Sequence, residues 1–580
     1  MQLQKIELPK EYESDREQLY LHGNQTAYRI DGDRLIIAKG QTVSFDTYFN
    51  AFSAVKWSEY TVIDNVRFKI TAKGCGSVSI WEMDSECRKI AEICIDSEDT
   101  LVYSADIDLA KHNNGILFVK IDSKEEIVMY DAAFETDMMP GRDVFISLII
   151  CTYRREEYVK RNLHILQKEV TEGSSVLKSH LNVKVIDNGN TLENIDETGF
   201  ISLIPNKNAG GVGGFTRGMM CAKEEGTATH VLLMDDDVEI KISALEKTFI
   251  LLSYAKDEYR DIIVGGAMLR NDCKYIQHEA GAWYQEGRFI KSRNRGLDLR
   301  KFENVCLNEK EEMVDYNAWW YCCMPVELSD EIGLPLPLFI HFDDLEYGIR
   351  AKKRVVLMNG ICVWHDTFEN KRPSVNEYYD VRNNLIINAL HARKNGRSKA
   401  VKIVNRRLLT NLFRYRYKDM SLVNMAVDDF FCGPQFLKCA DPQKFHKELC
   451  DFGYRYTEEF DGDLKEFDSK STDNSVIDRK KLLSLNGWLL PAKHSKKTVP
   501  IASGESPHRY YRVKKVWIYD PDTQKGFYSG KETGKLFVCF GMMIRQTVRL
   551  ILFYGTAKKR YSKQFKDITG EAFWKEYLNI

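Results

Sequence analysis

From about Tyr28 to Glu135 apolar and polar positions alternate in short runs, such as Arg34-Leu35-Ile36-Ile37-Ala38, Val66-Arg67-Phe68-Lys69-Ile70, Ser77-Val78-Ser79-Ile80-Trp81 and Gly115-Ile116-Leu117-Phe118-Val119. Gly, Asn, Asp and Ser interrupt them at roughly 8–15-residue intervals, the pattern of an antiparallel β-sandwich or jelly roll. At Val144 the texture changes. Val144-Phe145-Ile146-Ser147-Leu148-Ile149-Ile150 is almost continuously apolar, as expected of a strand covered on both faces in a parallel sheet. A helical stretch (Glu156 to Gln167), Val183-Lys184-Val185-Ile186, a Gly-rich turn, a second helical stretch and His230-Val231-Leu232-Leu233-Met234 follow. Strands alternating with helices at this spacing predict an α/β domain, whose ligands bind at the carboxyl ends of the strands. Those ends are polar here: Thr152 to Arg155, Asp187-Asn188 and Asp235-Asp236-Asp237. Beyond about residue 395 the pattern turns helical and basic, and Glu458 to Asp478 reads as an acidic loop or linker. The chain divides accordingly into residues 1–140, 141–395 and 396–580.

Composition narrows the partners. Lys and Arg (83) cancel Asp and Glu (84), leaving a net charge of -1, so nucleic acid is not expected as a partner. The polar start Met1-Gln2-Leu3-Gln4-Lys5 lacks the apolar core of a secretory signal. The 14 Cys show no disulfide spacing and suit reduced thiols in the cytoplasm. No window reaches about 18 consecutive apolar residues, so a membrane-spanning helix is not expected. The nearest approach is Leu536 to Gly555, broken by Arg545, Gln546 and Arg549. Around it Phe537, Phe540, Ile544, Val548, Ile551 and Tyr554 recur at helical spacing, with Arg545, Arg549, Lys558, Lys559 and Arg560 among them. Two readings stand for this segment: a basic amphipathic helix lying on an anionic membrane, or a helix packed on the protein's own core. Gly541, Thr547 and the aromatics count against a helix of either kind.

Three adjacent carboxylates, Asp235-Asp236-Asp237, repel one another unless a cation neutralises them. On an extended segment Asp235 and Asp237 point the same way, which suits a divalent ion that stabilises a departing diphosphate. A solvated acidic turn is the plainer reading. The Gly-rich segment Asn208 to Gly218 feeds a helix and places Arg217 within reach of a phosphate. It does not have the spacing of a dinucleotide-binding turn. In Trp319-Trp320 one ring is expected in the core and the other free to stack on a sugar, unless both pack inside. Asp343-Asp344 offers a general base, while Asp343 or Glu346 is also placed to cap the helix that follows. His365 ends another apolar strand and is a candidate ligand for a manganese-like ion.

In this order, with Thr152-Tyr153-Arg154-Arg155 at the start and Tyr378-Tyr379-Asp380-Val381-Arg382-Asn383 at the end, the motifs resemble the inverting, family-two glycosyltransferases of GT-A fold. Within them they resemble the galactofuranosyltransferases that polymerise actinobacterial cell-wall galactan. The resemblance runs from about Ser147 to Asn384. It implies an α/β GT-A domain with a β-rich N-terminal domain and a mainly helical C-terminal region. It assigns Thr152, Arg155 and Asp187 to the uridine, Asn208 to the donor ribose or diphosphate, and Asp236 and Arg217 to the donor site. Asp235, Asp237 and His365 become ligands of Mn²⁺ or Mg²⁺, Asp344 the catalytic base, and Trp320 with Asp343 shapers of the sugar pocket. The implied substrates are UDP-galactofuranose and a growing, lipid-linked glycan at the inner face of the cell membrane, with a homo-oligomer left open. A rhamnose or galactopyranose donor and a non-catalytic glycan-binding protein are the competing readings. Arg154 departs from the small polar residue usual at its position.

Overall fold

The computed structural model describes residues 1–24, 26–193, 195, 197–286, 290–367, 375–457, 460, 479–492, 494–521 and 523–580. The acidic stretch from Glu458 to Asp478 lies, apart from Phe460, outside the described residues.

Among them, β1 (Gln2–Lys5), β2 (Tyr28–Asp31), β3 (Arg34–Ile37), β4 (Thr42–Ser44), β5 (Asn65–Met83), β6 (Cys87–Asp108) and β7 (Ile116–Glu135) form one antiparallel sheet. The order is β2-β3-β7-β5-β6, with β1 and β4 also on β7. The expected antiparallel pattern is present, but several of the short runs are pieces of three long strands. Val66 to Ile70 and Ser77 to Trp81 both lie on β5. The glycines between them look like a turn in sequence and are a kink in structure. Register against β6 and β7 shifts around Gly74, whose φ is 123°. A side chain there would collide with the Glu126 carbonyl, so glycine lets the strand bend without ending.

The second sheet holds β8 (Ile146–Thr152), β9 (Leu181–Asp187), β10 (Ile201–Pro205), β11 (His230–Asp235), β12 (Ile263–Arg270) and β13 (Gln277–Glu279). After the small ribbon of β14 (Ala282–Tyr284) and β15 (Ile290–Ser292) it adds β16 (Cys322–Pro325) and β17 (Val355–His365). Its order is β10-β9-β8-β11-β16-β12-β13, with β17 beside β12. The first four strands run parallel, β16 is antiparallel to both neighbours, and β12 and β17 are parallel. Register decides what meets at the edge: Thr152 is opposite Asp187, Cys151 opposite Asp235, and Arg270 opposite His365. The polar ends predicted from sequence therefore come out on one rim of the sheet.

Helices Asn376–His391, Gly396–Phe413 and Tyr417–Cys432 lead the C-terminal part, followed by a three-stranded sheet built from residues 494–530. The chain then runs through one helix from Thr533 to Ile568 and a short one, Glu571–Leu578. The long helix is continuous despite Gly541 and Thr547, because a buried stripe of Leu536, Cys539, Leu550, Tyr554, Ala557 and Tyr561 packs on the helices before it. Tertiary burial outweighs the local propensities. Of the six apolar positions picked from sequence only Tyr554 belongs to that stripe. Phe537, Phe540, Ile544, Val548 and Ile551 are exposed. Among the described residues it is the helix long and apolar enough to cross a membrane, a property that the unbroken-run criterion missed.

Candidate active site

Asp235 closes β11 and Asp237 follows in the turn, so both carboxylates project to one side and meet His365 at the end of β17. Ligand atoms of the three residues all lie within 4.8 Å of one another. His365 Nε2 is 3.0 Å from an Asp237 oxygen and 3.9 Å from one of Asp235. Asp236 turns away: it accepts from the Thr152 hydroxyl at 2.6 Å and pairs with Arg155 at 3.3 Å, and its carbonyl accepts from Asn162. Arg155 also pairs with Asp237.

The electrostatics separate the three acids. Burial raises Asp235 and Asp236 to about 6, helped in both by the charge of Asp237. Burial pushes Asp237 the same way, but the His365 hydrogen bond and charge together with Arg155 outweigh it, and it stays below the usual carboxylate range. Two carboxylates and an imidazole are oxygen and nitrogen donors that suit a divalent cation, and the donor set converges as such an ion requires.

Asp343 and Asp344 open the Asp343–Ala351 helix, where the dipole favours negative charge. Asp343 is near enough for its charge to raise Asp235. Asp344 is raised well above the ordinary carboxylate range by burial first and Asp343 second. Phe342, the residue before this helix, gives it no side-chain cap; the Asp343 carboxylate takes backbone hydrogen bonds from residues 343 and 344. The Asp344 carboxylate accepts from the Leu345 N–H at 2.7 Å, and Glu346 is buried against Arg350 and His391. The approach to the pair is strained. Phe339, His341 and Phe342 have φ of 70°, 64° and 70°, each costing about 1–3 kcal/mol and persisting only where the surroundings over-determine it. They do. Arg382 donates to the Leu338 carbonyl, and Asn383, fully buried, donates to the carbonyls of Leu338, Ile340 and His341. His341 is in turn held by Asp380 at 2.7 Å, and Asp380 by Arg407.

Residues 147–307 match the model of glycosyl transferase family 2, and residues 3–137 match the model described as galactofuranosyltransferase 2 N-terminal. Residues 147–307 are a glycosyl transferase family 2 domain. It is similar to galactofuranosyltransferase GlfT2 of Mycolicibacterium smegmatis, 25% identical over 75% of this chain and 72% of that one. The GlfT2 of Mycobacterium tuberculosis is 26% identical over 75% and 73%. Among solved structures, the mannosyltransferase PcManGT from Pyrobaculum calidifontis in complex with GDP-Man and Mn²⁺ overlays 55% of this chain and 88% of its own, at 12% identity and a TM-score of 0.28.

As a family 2 transferase the protein takes a nucleotide-sugar donor and a glycan acceptor, and the remaining predicted residues sit around its rim unevenly. Both Asp187 oxygens are engaged by the backbone N–H groups of Gly189, Thr191 and Leu192, so this residue shapes the loop after β9. Asn208 accepts from the Gly210 N–H and starts the Gly210–Glu225 helix. Arg217 lies two turns along that helix, and among the described residues no hydrogen bond or ion pair ties it to either acidic cluster. The two tryptophans enter different apolar clusters, as opposite-facing neighbours should, but neither ring is free. Trp319 packs on Phe215 and Tyr347, and Trp320, 8% exposed, donates to the Gly266 carbonyl. Glu279 was missed. It is buried at the end of β13, hydrogen-bonded by Ser292, pushed by burial to about 7, and its charge is felt by Asp344. Gln277-His278-Glu279 carries no pattern that marks it.

Proposed function

We propose that the protein transfers galactofuranose from UDP-galactofuranose to a hydroxyl of a growing cell-surface glycan, with inversion at the anomeric carbon. The observation that carries this is the meeting of Asp235, Asp237 and His365 on one rim with the Asp343–Asp344 pair beside it. The names of the two relatives support the choice of sugar. Asp235, Asp237 and His365 would hold Mn²⁺ or Mg²⁺, which supplies charge neutralisation for a departing diphosphate. Thr152, Arg155 and Asp187 serve the nucleoside end, Asn208 the ribose or diphosphate, and Asp236 and Arg217 the rest of the donor site. Asp343 bounds the sugar, and Trp320, its ring covered, shapes the pocket from within the core. Asp344 accepts the acceptor's proton, and burial with the charge of Asp343 raises its affinity for one, as a general base requires. The division into residues 1–140, 141–395 and 396–580 is part of the same proposal. A panel of UDP-sugars with Mn²⁺ and mass analysis of the products tests it: galactofuranose addition is expected, and transfer of another sugar alone would move the reading to the rhamnose or galactopyranose alternative. Glycan binding with no metal-dependent affinity for UDP would point to the non-catalytic class.

The exposed stripe of Phe537, Phe540, Ile544, Val548 and Ile551, with Arg545, Lys559 and Lys563 also exposed along the helix, supports placing the enzyme on the inner, anionic face of the cell membrane, where a lipid-linked acceptor is met. Phe537→Glu with Ile544→Glu should abolish pelleting with vesicles containing anionic lipid while transfer to a soluble acceptor continues. Unchanged pelleting would remove the helix from this role. A homo-oligomer fits the proposal and is read from the mass in solution.

A further inference from the structure

The C-terminal part of the chain offers no motif that sequence can align, yet its short Glu571–Leu578 helix reaches both loops of the transferase site. We infer that this helix is a positioning element of the reaction, joining the loop that carries Asp343 and Asp344 to the turn that carries Asn208. The inference rests on the proposed role of Asp344.

Contacts on the base side come first. The Leu334 N–H donates to the Thr569 carbonyl at 2.8 Å. Trp574, fully buried, donates its indole N–H to the Pro335 carbonyl at 2.9 Å. Three carbonyls of the strained loop thus have partners at residues 382 and 383, and its entry is fixed at residues 569–574. On the donor side Lys207 donates to the Tyr577 carbonyl at 2.8 Å, with its ammonium also over the Tyr577 ring. Leu578 stands 3.6 Å from the space a side chain would take at Gly213. Trp574 and Leu578 share one apolar cluster with Ala209, Val212, Trp319 and Leu334.

The two loops also touch directly. Gly210 has φ of 79°, and any side chain there would collide with the Phe339 carbonyl. Glycine is therefore required at this crossing, both for its conformation and for the close approach. Helix, donor turn and base loop form a three-way junction in which a shift of one member moves the others. Displacement of a reacting group by about 1 Å costs on the order of 100-fold in rate. That sensitivity makes the helix matter to turnover although it touches no substrate.

The test uses the full chain with Trp574→Phe, which keeps an aromatic ring and deletes the N–H, and Lys207→Met, which keeps the stem and deletes the charge. For each, UDP release from UDP-galactofuranose, calorimetric UDP affinity with Mn²⁺ and the melting temperature are measured beside Asp344→Asn. We expect kcat to fall about 10-fold in either variant, with UDP affinity within about twofold and melting within a few degrees of the parent. Turnover within about twofold of the parent in both variants would overturn the inference. So would a fall in turnover matched by equal losses of UDP affinity and melting temperature, the result of a merely structural role. Normal turnover in Asp344→Asn would instead discard the base assignment on which the inference stands.

Discussion

The two acidic clusters of this enzyme are built in opposite ways. Asp235 closes a buried strand whose height is fixed by β8 parallel on one side and β16 antiparallel on the other, and Asp236 and Asp237 follow in the turn. Of the partners that matter, Thr152 and His365 arrive on other strands of the same sheet and Arg155 just past the end of β8. Asp343 and Asp344 stand on a loop with three left-handed residues, held by side chains from helices outside the sheet. One cluster is placed by a scaffold and the other by a clamp. The scaffolded cluster should tolerate loss of remote contacts, whereas the clamped one should not.

The largest effect expected is from Asp237→Ala. Removing the carboxylate that holds His365 should abolish both turnover and metal-dependent UDP binding, read by calorimetry with and without Mn²⁺. Asp344→Asn should lower kcat by about 10²–10⁴, the usual contribution of a positioned base, while leaving UDP affinity intact. If both variants lose both properties together, the division between the clusters is false. Next comes Asn383→Ala, which strips the Ile340 and His341 carbonyls of their side-chain donor and leaves Leu338 with Arg382 alone. Turnover should fall about 100-fold with UDP binding preserved, and loss of UDP binding instead would mean that the clamp also serves the scaffolded cluster. The mildest effect concerns pH. A base accepts a proton only when it is deprotonated, so kcat declines as pH drops through the pKa of Asp344. Burial raises that pKa first and the charge of Asp343 second. Asp343→Asn removes the second contribution, and the acid limb of the kcat profile should move to lower pH. An unmoved or higher limb would show that Asp344 is not the group being titrated.

Much of the scaffolded cluster was legible in the sequence because its signals are local. An apolar run ending in Asp235, another ending in His365 and a Gly-rich turn between polar strand ends say where the rim is. Alternation foretold that Asp235 and Asp237 face one way and Asp236 another. The clamp was not legible in the same sense. Asn383 and Arg382 stood out as a motif without a role, and Trp574 stood nowhere, because their partners are carbonyl oxygens, which leave no mark on residue type. The same blindness made Gly74 look like a turn and freed a tryptophan ring that packing covers. Glu279 shows the remaining limit: an isolated acid in a three-residue strand becomes notable only when the fold sets it beside Asp344.

The hydrogen bond from Trp574 to Pro335 spans 239 residues of chain. A ribosome adding about 5–20 residues per second needs roughly ten to fifty seconds to make that stretch. During that interval a nascent chain already holds Asp235, Asp236 and Asp237, and soon His365, on strands that can pair. The partner of the Pro335 carbonyl does not yet exist. The loop bearing Asp344 therefore gains its last anchor only as synthesis ends, long after the strands of the acidic rim have been made.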